Sequence, residues 1–199
     1  MEDDVTQSDV LEILKDWNLW GGNDMAEGTA KRNLTSELLG YEKSKEVIVL
    51  KGLRRCGKST VLYQVMKEIS LKIGQRNVLY VNLEDPRLVF ERKNTDALEH
   101  IYNAYLSGVK PTGKHVLFLD EVQNVNGWEK WVRQARDRGI KIYVTGSSSG
   151  LLSGEIGSLL TGRNISIEAY PFRFSEIMDI SGGVTLKTGK NRIISLFNE

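Results

Sequence analysis

The stretch GLRRCGKST, Gly52 to Thr60, sets two glycines, a lysine and two hydroxyls at a spacing that can hold phosphate. Gly52, Gly57, Lys58 and Ser59 fit G-x-x-x-x-G-K-[ST]. A loop of this kind wraps a phosphate with backbone N–H groups, here those of Leu53, Arg54, Arg55 and Cys56 as well, and the helix that follows adds its partial positive charge. Lys58 would reach the β- and γ-phosphates, Ser59 would put its hydroxyl on Mg2+, and Thr60 could support an α-phosphate. The bland reading is a glycine turn capping an ordinary helix. Arg54 and Arg55 add positive field or are simply solvated. Cys56 is read as a tolerated small side chain rather than a redox switch.

A second cluster is VLFLDEV, Val116 to Val122. Four apolar residues deliver Asp120 and Glu121 to one edge of a sheet. Asp120 would hold Mg2+, directly or through water, and Glu121 would polarise the water that attacks a γ-phosphate. Alone, the pair could be a solvated acidic turn; beside a phosphate loop it reads as machinery. In IYVTGSSS, Ile142 to Ser149, the hydroxyls of Thr145 and Ser147 could contact the γ-phosphate or the attacking water. A hydrogen-bonded turn explains them equally, and better explains Ser148 and Ser149. Arg163 could reach a nucleotide on a neighbouring subunit, or could be a surface arginine at a helix end. Glu84 and Asp85 end a strand nearby, and Asp85 before Pro86 reads as a turn start. His100 and His115 have no metal-like spacing, and Trp128 and Trp131 read as packing.

Elements must bring these pieces together. Apolar runs predict buried strands at Val47–Leu50, Val78–Leu83, Val116–Leu119, Ile140–Val144 and around Ile165–Ile167. Between them, helical spacing predicts helices over Lys58–Ile73, around Leu98–Leu106 closed by Gly108 and Pro111, over about Gly127–Arg138, and a short one near Leu151–Leu160. Ahead of them, Ser8 would cap a first helix carrying Val10, Ile13, Leu14 and Trp17. The polar stretch AEGTAKRN then leads to Leu34–Leu39. Alternating strands and helices predict an α/β fold, a parallel sheet covered on both faces. Right-handed crossovers put every strand's carboxyl end on one edge, so the loops after Gly52, Glu84, Asp120 and Thr145 should converge.

The chain has 199 residues and 40% apolar content, ordinary for one domain with a proper core. A formal charge of +1 gives no global pull toward nucleic acid or membrane. Its single cysteine rules out an intrachain disulfide. MEDDVTQSD does not read as a signal peptide, and no apolar run approaches the ~20 residues that span a bilayer. The expected location is the cytoplasm.

On DWNLW, GLRRCGKST, YVNLEDPRL, FLDEVQNVNGWEKWVR, IYVTGSSSGLL and LLTGRNISIEAYPFRFSEI, the chain resembles the archaeal and bacterial AAA-type P-loop ATPases. These are the STAND-like, additional-strand catalytic-Glu class whose ATPase part precedes a C-terminal domain of unknown function. The resemblance implies a three-layer P-loop NTPase with a five-stranded parallel sheet in order 5-1-4-3-2. It implies Walker A at Gly52–Thr60, Walker B at Asp120 with catalytic Glu121, a sensor at the Thr145–Ser147 turn, and Arg163 where arginine fingers occur. It also implies ATP over guanine nucleotides, Mg2+, and three parts: an N-terminal helical appendage over 1–40, the ATPase core over 41–175, and the start of a lid over 176–199. Because the family continues beyond the equivalent of Glu199, the chain is expected to be a fragment or a truncated paralogue, with slow turnover. Three functions follow. The first is an Mg2+-dependent ATPase coupled to a partner or second domain, protein or nucleic acid, with possible self-association through Arg163. The second is a switch that binds ATP or ADP with little hydrolysis. The third is a small-molecule kinase, which would need an acceptor.

Overall fold

Five parallel strands form the centre of the molecule in the order β2-β3-β4-β1-β5. They are β1 (Val47–Gly52), β2 (Val78–Asn82), β3 (Val116–Asp120), β4 (Lys141–Ser147) and β5 (Asn164–Ala169). The computed structural model describes residues 6–88, 96–147, 162–172 and 176. The short helix expected near Leu151–Leu160, Ser148 and Ser149, and nearly all of the expected lid lie outside them. The sheet is the three-layer arrangement that the sequence motifs imply, strand order included.

Alternation along each strand splits the core in two, as period-2 side-chain placement requires. Val47, Val49, Leu79, Val81, Leu117, Leu119, Ile142 and Val144 face one side. There they meet α1 (Gln7–Trp17), α4 (Ala97–Val109) and α5 (Trp128–Asp137). Ile48, Leu50, Tyr80, Phe118, Tyr143 and Ile167 face the other side, against α2 (Asn33–Gly40) and α3 (Lys58–Ile73). Strands covered on both faces read as continuous apolar runs, which is why their positions were legible. Trp128 and Trp131 are buried in the first of these cores, as packing.

Several boundaries differ from expectation for local reasons. Thr6, not Ser8, caps α1, because Thr6 and Asp9 form a reciprocal capping box. Gly108 does not close α4, which runs on to Val109. A Cβ at Gly108 would lie 2.3 Å from Leu11 Cδ2, so this glycine marks the close approach of α1 to α4. Strand β4 continues through Thr145, Gly146 and Ser147 because these pair in register with Leu50, Lys51 and Gly52.

The chain from α1 to α2 wraps the sheet. Strand β2 is an edge, and Asn18 covers it: its Nδ2 donates to Tyr80 O at 2.8 Å while its Oδ1 accepts from Tyr80 N at 2.8 Å. Trp20 Nε1 donates to Val78 O at 3.2 Å on the same free edge. A side chain thereby satisfies backbone groups that would otherwise invite another strand. Residues 24–30 then dock on α3 through the Lys67–Asp24 pair at 2.6 Å and the Gln64 amide, which donates to Ala30 O at 2.8 Å.

Candidate active site

The carboxyl ends of β1, β2 and β3 converge on an open cleft of about 490 Å³ lined by Arg54, Arg55, Gly57, Lys58, Ser59, Thr60, Glu84 and Glu121. Its floor is the loop between β1 and α3. Gly52 has no room for a side chain, since a Cβ would lie 2.3 Å from Ala169 O on β5. Gly57 caps α3 at φ 87°, a left-handed conformation that glycine adopts without strain. It brings no side chain to the first N–H groups of α3. Those groups at a helix start suit an anion. Arg55 also has positive φ, 65°, which an arginine holds only under constraint. Leu53, Arg54 and Arg55 point outward, whereas Cys56 is buried beneath the loop. Arg54 crosses the cleft mouth to Glu84 at 2.6 Å, a contact between exposed groups.

Lys58 is buried and folds over the loop, donating to Leu53 O at 3.1 Å and Gly52 O at 3.4 Å. Its Nζ lies 3.5 Å from Glu121 Oε1. Glu121 itself sits at φ 56°, ψ 50°, which kinks the chain out of β3 and turns the carboxylate into the cleft. Its other oxygen, Oε2, accepts from Gln123 Nε2 at 2.6 Å.

Behind Glu121 lies a buried polar knot. Asp120 Oδ2 accepts from the Tyr80 hydroxyl at 2.6 Å, and Oδ1 accepts from the Thr145 hydroxyl. The Ser59 hydroxyl lies near this carboxylate. Burial pushes the Asp120 carboxyl above its ordinary range; the hydrogen bonds from Thr145 and Tyr80 and the nearby Ser59 hydroxyl pull it back, and the charge of Glu121 adds to the upward push. Thr145 is fully buried, and its oxygen also accepts from Glu121 N–H at 3.0 Å. The hydroxyl is thus engaged with Asp120 and Glu121 rather than facing a phosphate. Ser147 ends β4 directly across from Gly52.

The donor set is hard oxygen only: the Asp120 carboxylate, the Ser59 hydroxyl beside it, and Glu121 next in sequence. One or two protein oxygens of this kind suit Mg2+, which completes its shell with phosphates and water.

Arg163 is the one candidate that stays apart. It lies exposed just before β5, and its carbonyl accepts from Val47 N at 3.0 Å, at the start of β1. The phosphate loop begins at the other end of that strand, about 17 Å away at 3.3 Å per residue. Arg163 therefore does not join its own chain's cleft.

Two residues that the sequence reading assigned no role also touch the site. Gln123 is one. The other is Arg32, in the stretch that reads as a polar connection. It is buried, with Nη1 donating to Cys56 O in the loop at 3.0 Å and Nη2 to Tyr170 O at 2.9 Å. Its Nε pairs with Glu176 Oε1 at 3.0 Å, and its guanidinium lies 4.2 Å over the Phe172 ring. Partners this distant in sequence leave no spacing signal. Tyr80 left a faint one, because a hydroxyl inside a buried strand needs a partner.

The family model of an AAA domain matches residues 44–178. An uncharacterized protein of Methanocaldococcus jannaschii is 39% identical over 133 residues, 67% of this chain and 28% of that protein. An uncharacterized protein of Haemophilus influenzae is 32% identical over 151 residues, 75% of this chain and 37% of that protein. The chain thus spans only 28% and 37% of the length of these two relatives. Among solved structures, the Aeropyrum pernix ORC1 protein in complex with DNA aligns at TM-score 0.53 and 12% identity, over 73% of this chain and 46% of that one. AMPPCP-bound DnaA from Aquifex aeolicus aligns at TM-score 0.51 and 17% identity, over 79% of this chain and 52% of that one. At these identities the two structures share the fold with this chain.

Proposed function

The chain belongs to the AAA domain family of P-loop ATPases, and from that membership we propose that it binds ATP with Mg2+ in the cleft and hydrolyses it to ADP and phosphate. One observation carries the reading: Lys58 lies in ion-pair reach of Glu121, and Ser59 lies near Asp120, so two separate parts of the chain bring these four residues together at one sheet edge. In this reading the loop N–H groups of Gly52–Thr60 hold the phosphates. Lys58 leaves Glu121 for the β- and γ-phosphate oxygens and offsets charge as it develops there. Ser59 and Asp120 would hold Mg2+, which would supply positive charge against the phosphates. Glu121 orients a water and accepts its proton as the water oxygen bonds to the γ-phosphorus and the bond to the β,γ-bridging oxygen breaks. Thr145 positions Asp120 and Glu121, and Ser147 flanks the loop. ATP rather than GTP, and coupling of turnover to a partner or second domain, rest on the motif resemblance and on the greater length of the relatives. The division at residues 40 and 175, with a lid beginning near 176, belongs to the same reading. So do the cytoplasmic location and the self-association through Arg163. Among the described residues no helix is long and apolar enough to cross a membrane.

A second reading, a switch that holds nucleotide with little hydrolysis, is favoured by the Lys58–Glu121 contact, which engages both groups with each other. One experiment separates the two. Phosphate release from ATP with Mg2+ is measured for the wild type and Glu121→Gln, alongside ATP binding. Turnover in the wild type, reduced about 100-fold or more in the variant with binding kept, is the outcome expected for water activation by Glu121. Tight binding with equal, negligible turnover in both supports the switch, and failure to bind any nucleotide rejects both readings.

A further inference from the structure

We infer that Gln123 is a positioning residue for Glu121, fixing the plane of its carboxylate for water activation; the inference rests on the ATPase reading above. The left-handed kink at Glu121 starts a single 3-10 turn, Val122–Asn124. That turn is rigid. Asn124 N donates to Glu121 O at 3.1 Å, Val125 N donates to Val122 O at 3.0 Å, and Val122 and Val125 are both buried in the core. It returns Gln123 over the side chain two residues earlier, with Nε2 at 2.6 Å from Glu121 Oε2. A carboxylate only accepts, so the amide orientation is fixed: nitrogen toward Glu121, oxygen away. That leaves Gln123 Oε1 buried with no hydrogen-bond partner among the described residues. Orphaned buried acceptors are uncommon and costly, and a side chain serving only to fill space would not need an amide here.

The two carboxylate oxygens of Glu121 then have unlike neighbours. Oε1 faces Lys58, a long flexible cation that phosphates would draw away. Oε2 faces a neutral donor on a short, anchored turn. Once Lys58 turns to phosphate, Oε1 is released toward the cleft while Oε2 stays held, so the free oxygen has a defined direction. A neutral amide gives that orientation without adding charge beside the group that must take the proton. Effective general-base action depends on such geometry first.

The test uses Gln123→Met, which keeps the length of the side chain and removes the donor, and Gln123→His, which restores an N–H. Steady-state ATP hydrolysis is measured for each, in the wild-type and Glu121→Gln backgrounds. The expected result for Gln123→Met is a kcat about tenfold lower or more with KM for ATP within twofold, no further loss in the Glu121→Gln background, and partial recovery in Gln123→His. A structural role would lower turnover in both backgrounds alike. Unchanged kcat, a KM rising in step with the fall in kcat, or the same loss in both backgrounds overturns the inference while leaving the ATPase reading standing. If Glu121→Gln alone keeps full turnover, or the wild type has none, that reading falls and this inference falls with it. Thermal melting of each variant guards against misfolding, and if Gln123→Met does not fold, Gln123→Leu, neutral and lacking the donor, takes its place with the same expected loss.

Discussion

Thr145 has one hydroxyl hydrogen, and it goes to Asp120, while its oxygen takes the Glu121 N–H. Removing that hydroxyl in Thr145→Val leaves a buried carboxylate oxygen and a backbone N–H short of partners. An unmet buried group costs about 1–3 kcal/mol, so urea unfolding is expected to show a loss of that size, with Thr145→Ser losing less. Phosphate release is expected to fall in Thr145→Val as well, because both acidic residues of the proposed machinery lose one anchor. How much of this was legible follows from sequence separation. The residues of GLRRCGKST and the Asp120–Glu121 pair were legible because contiguous or fixed spacing carries them. The hydroxyl of Thr145 was legible as a candidate but not as a partner of Asp120, since β3 and β4 had to be placed side by side first. The roles of Gln123 and Arg32 were not legible: Gln123 stands within a quoted motif, but its spacing does not say which side chain its amide holds, and an isolated arginine such as Arg32 acquires meaning only from what packs against it.

Strands and helices came through the sequence more fully than their ends did, since burial on both faces writes continuous apolar runs while caps depend on one or two side chains. The join between α1 and the end of β2 is one such detail. Asp85 is buried there, accepting from Trp17 Nε1 at 2.7 Å and pairing with Arg87 Nη2 at 2.8 Å, while Arg87 Nη1 reaches Asp16 at 2.6 Å. Burial alone would raise the Asp85 carboxyl, but the hydrogen bonds from Arg87 and Trp17 and the Arg87 charge outweigh it and hold the group at about 2, against an ordinary 3.8. As pH falls, the unfolded chain takes up this proton first. The stabilisation is therefore full above pH 3.8 and is lost as pH falls toward 2. A shift of this size is worth about 2 kcal/mol. Denaturant unfolding between pH 5 and 2 is expected to show Asp85→Asn less stable at pH 5 and flatter across the window, and equal slopes in the two proteins would rule out this role.

At the scale of the whole molecule, the sheet separates its two arginine questions. Arg163 stands at the edge opposite its own phosphate loop, so any part it plays in turnover must be played in another subunit. Arg163→Ala is expected to lose turnover, and adding Lys58→Ala subunits, which keep Arg163 but not a working loop, is expected to restore part of it; no recovery on mixing would argue against a finger between subunits. Arg32 works within one subunit, where it ties three distant parts of the chain: its own position ahead of α2, the loop carbonyl of Cys56, and the segment after β5 at Tyr170 and Glu176. Both members of the Arg32–Glu176 pair are 5% exposed, so removing one strands the other. Arg32→Ala is expected to destabilise the fold by about 3–5 kcal/mol. Replacing both with apolar residues, Arg32→Met with Glu176→Leu, should recover much of that, because no buried charge is left unpaired. The double variant still lacks the donor to Cys56 O, so the phosphate loop loses an anchor that Glu176 never supplied. Melting and ATP titration together then divide the two roles. A double variant that regains stability but not affinity assigns Arg32 to holding the loop, and one that regains both assigns it to the fold alone.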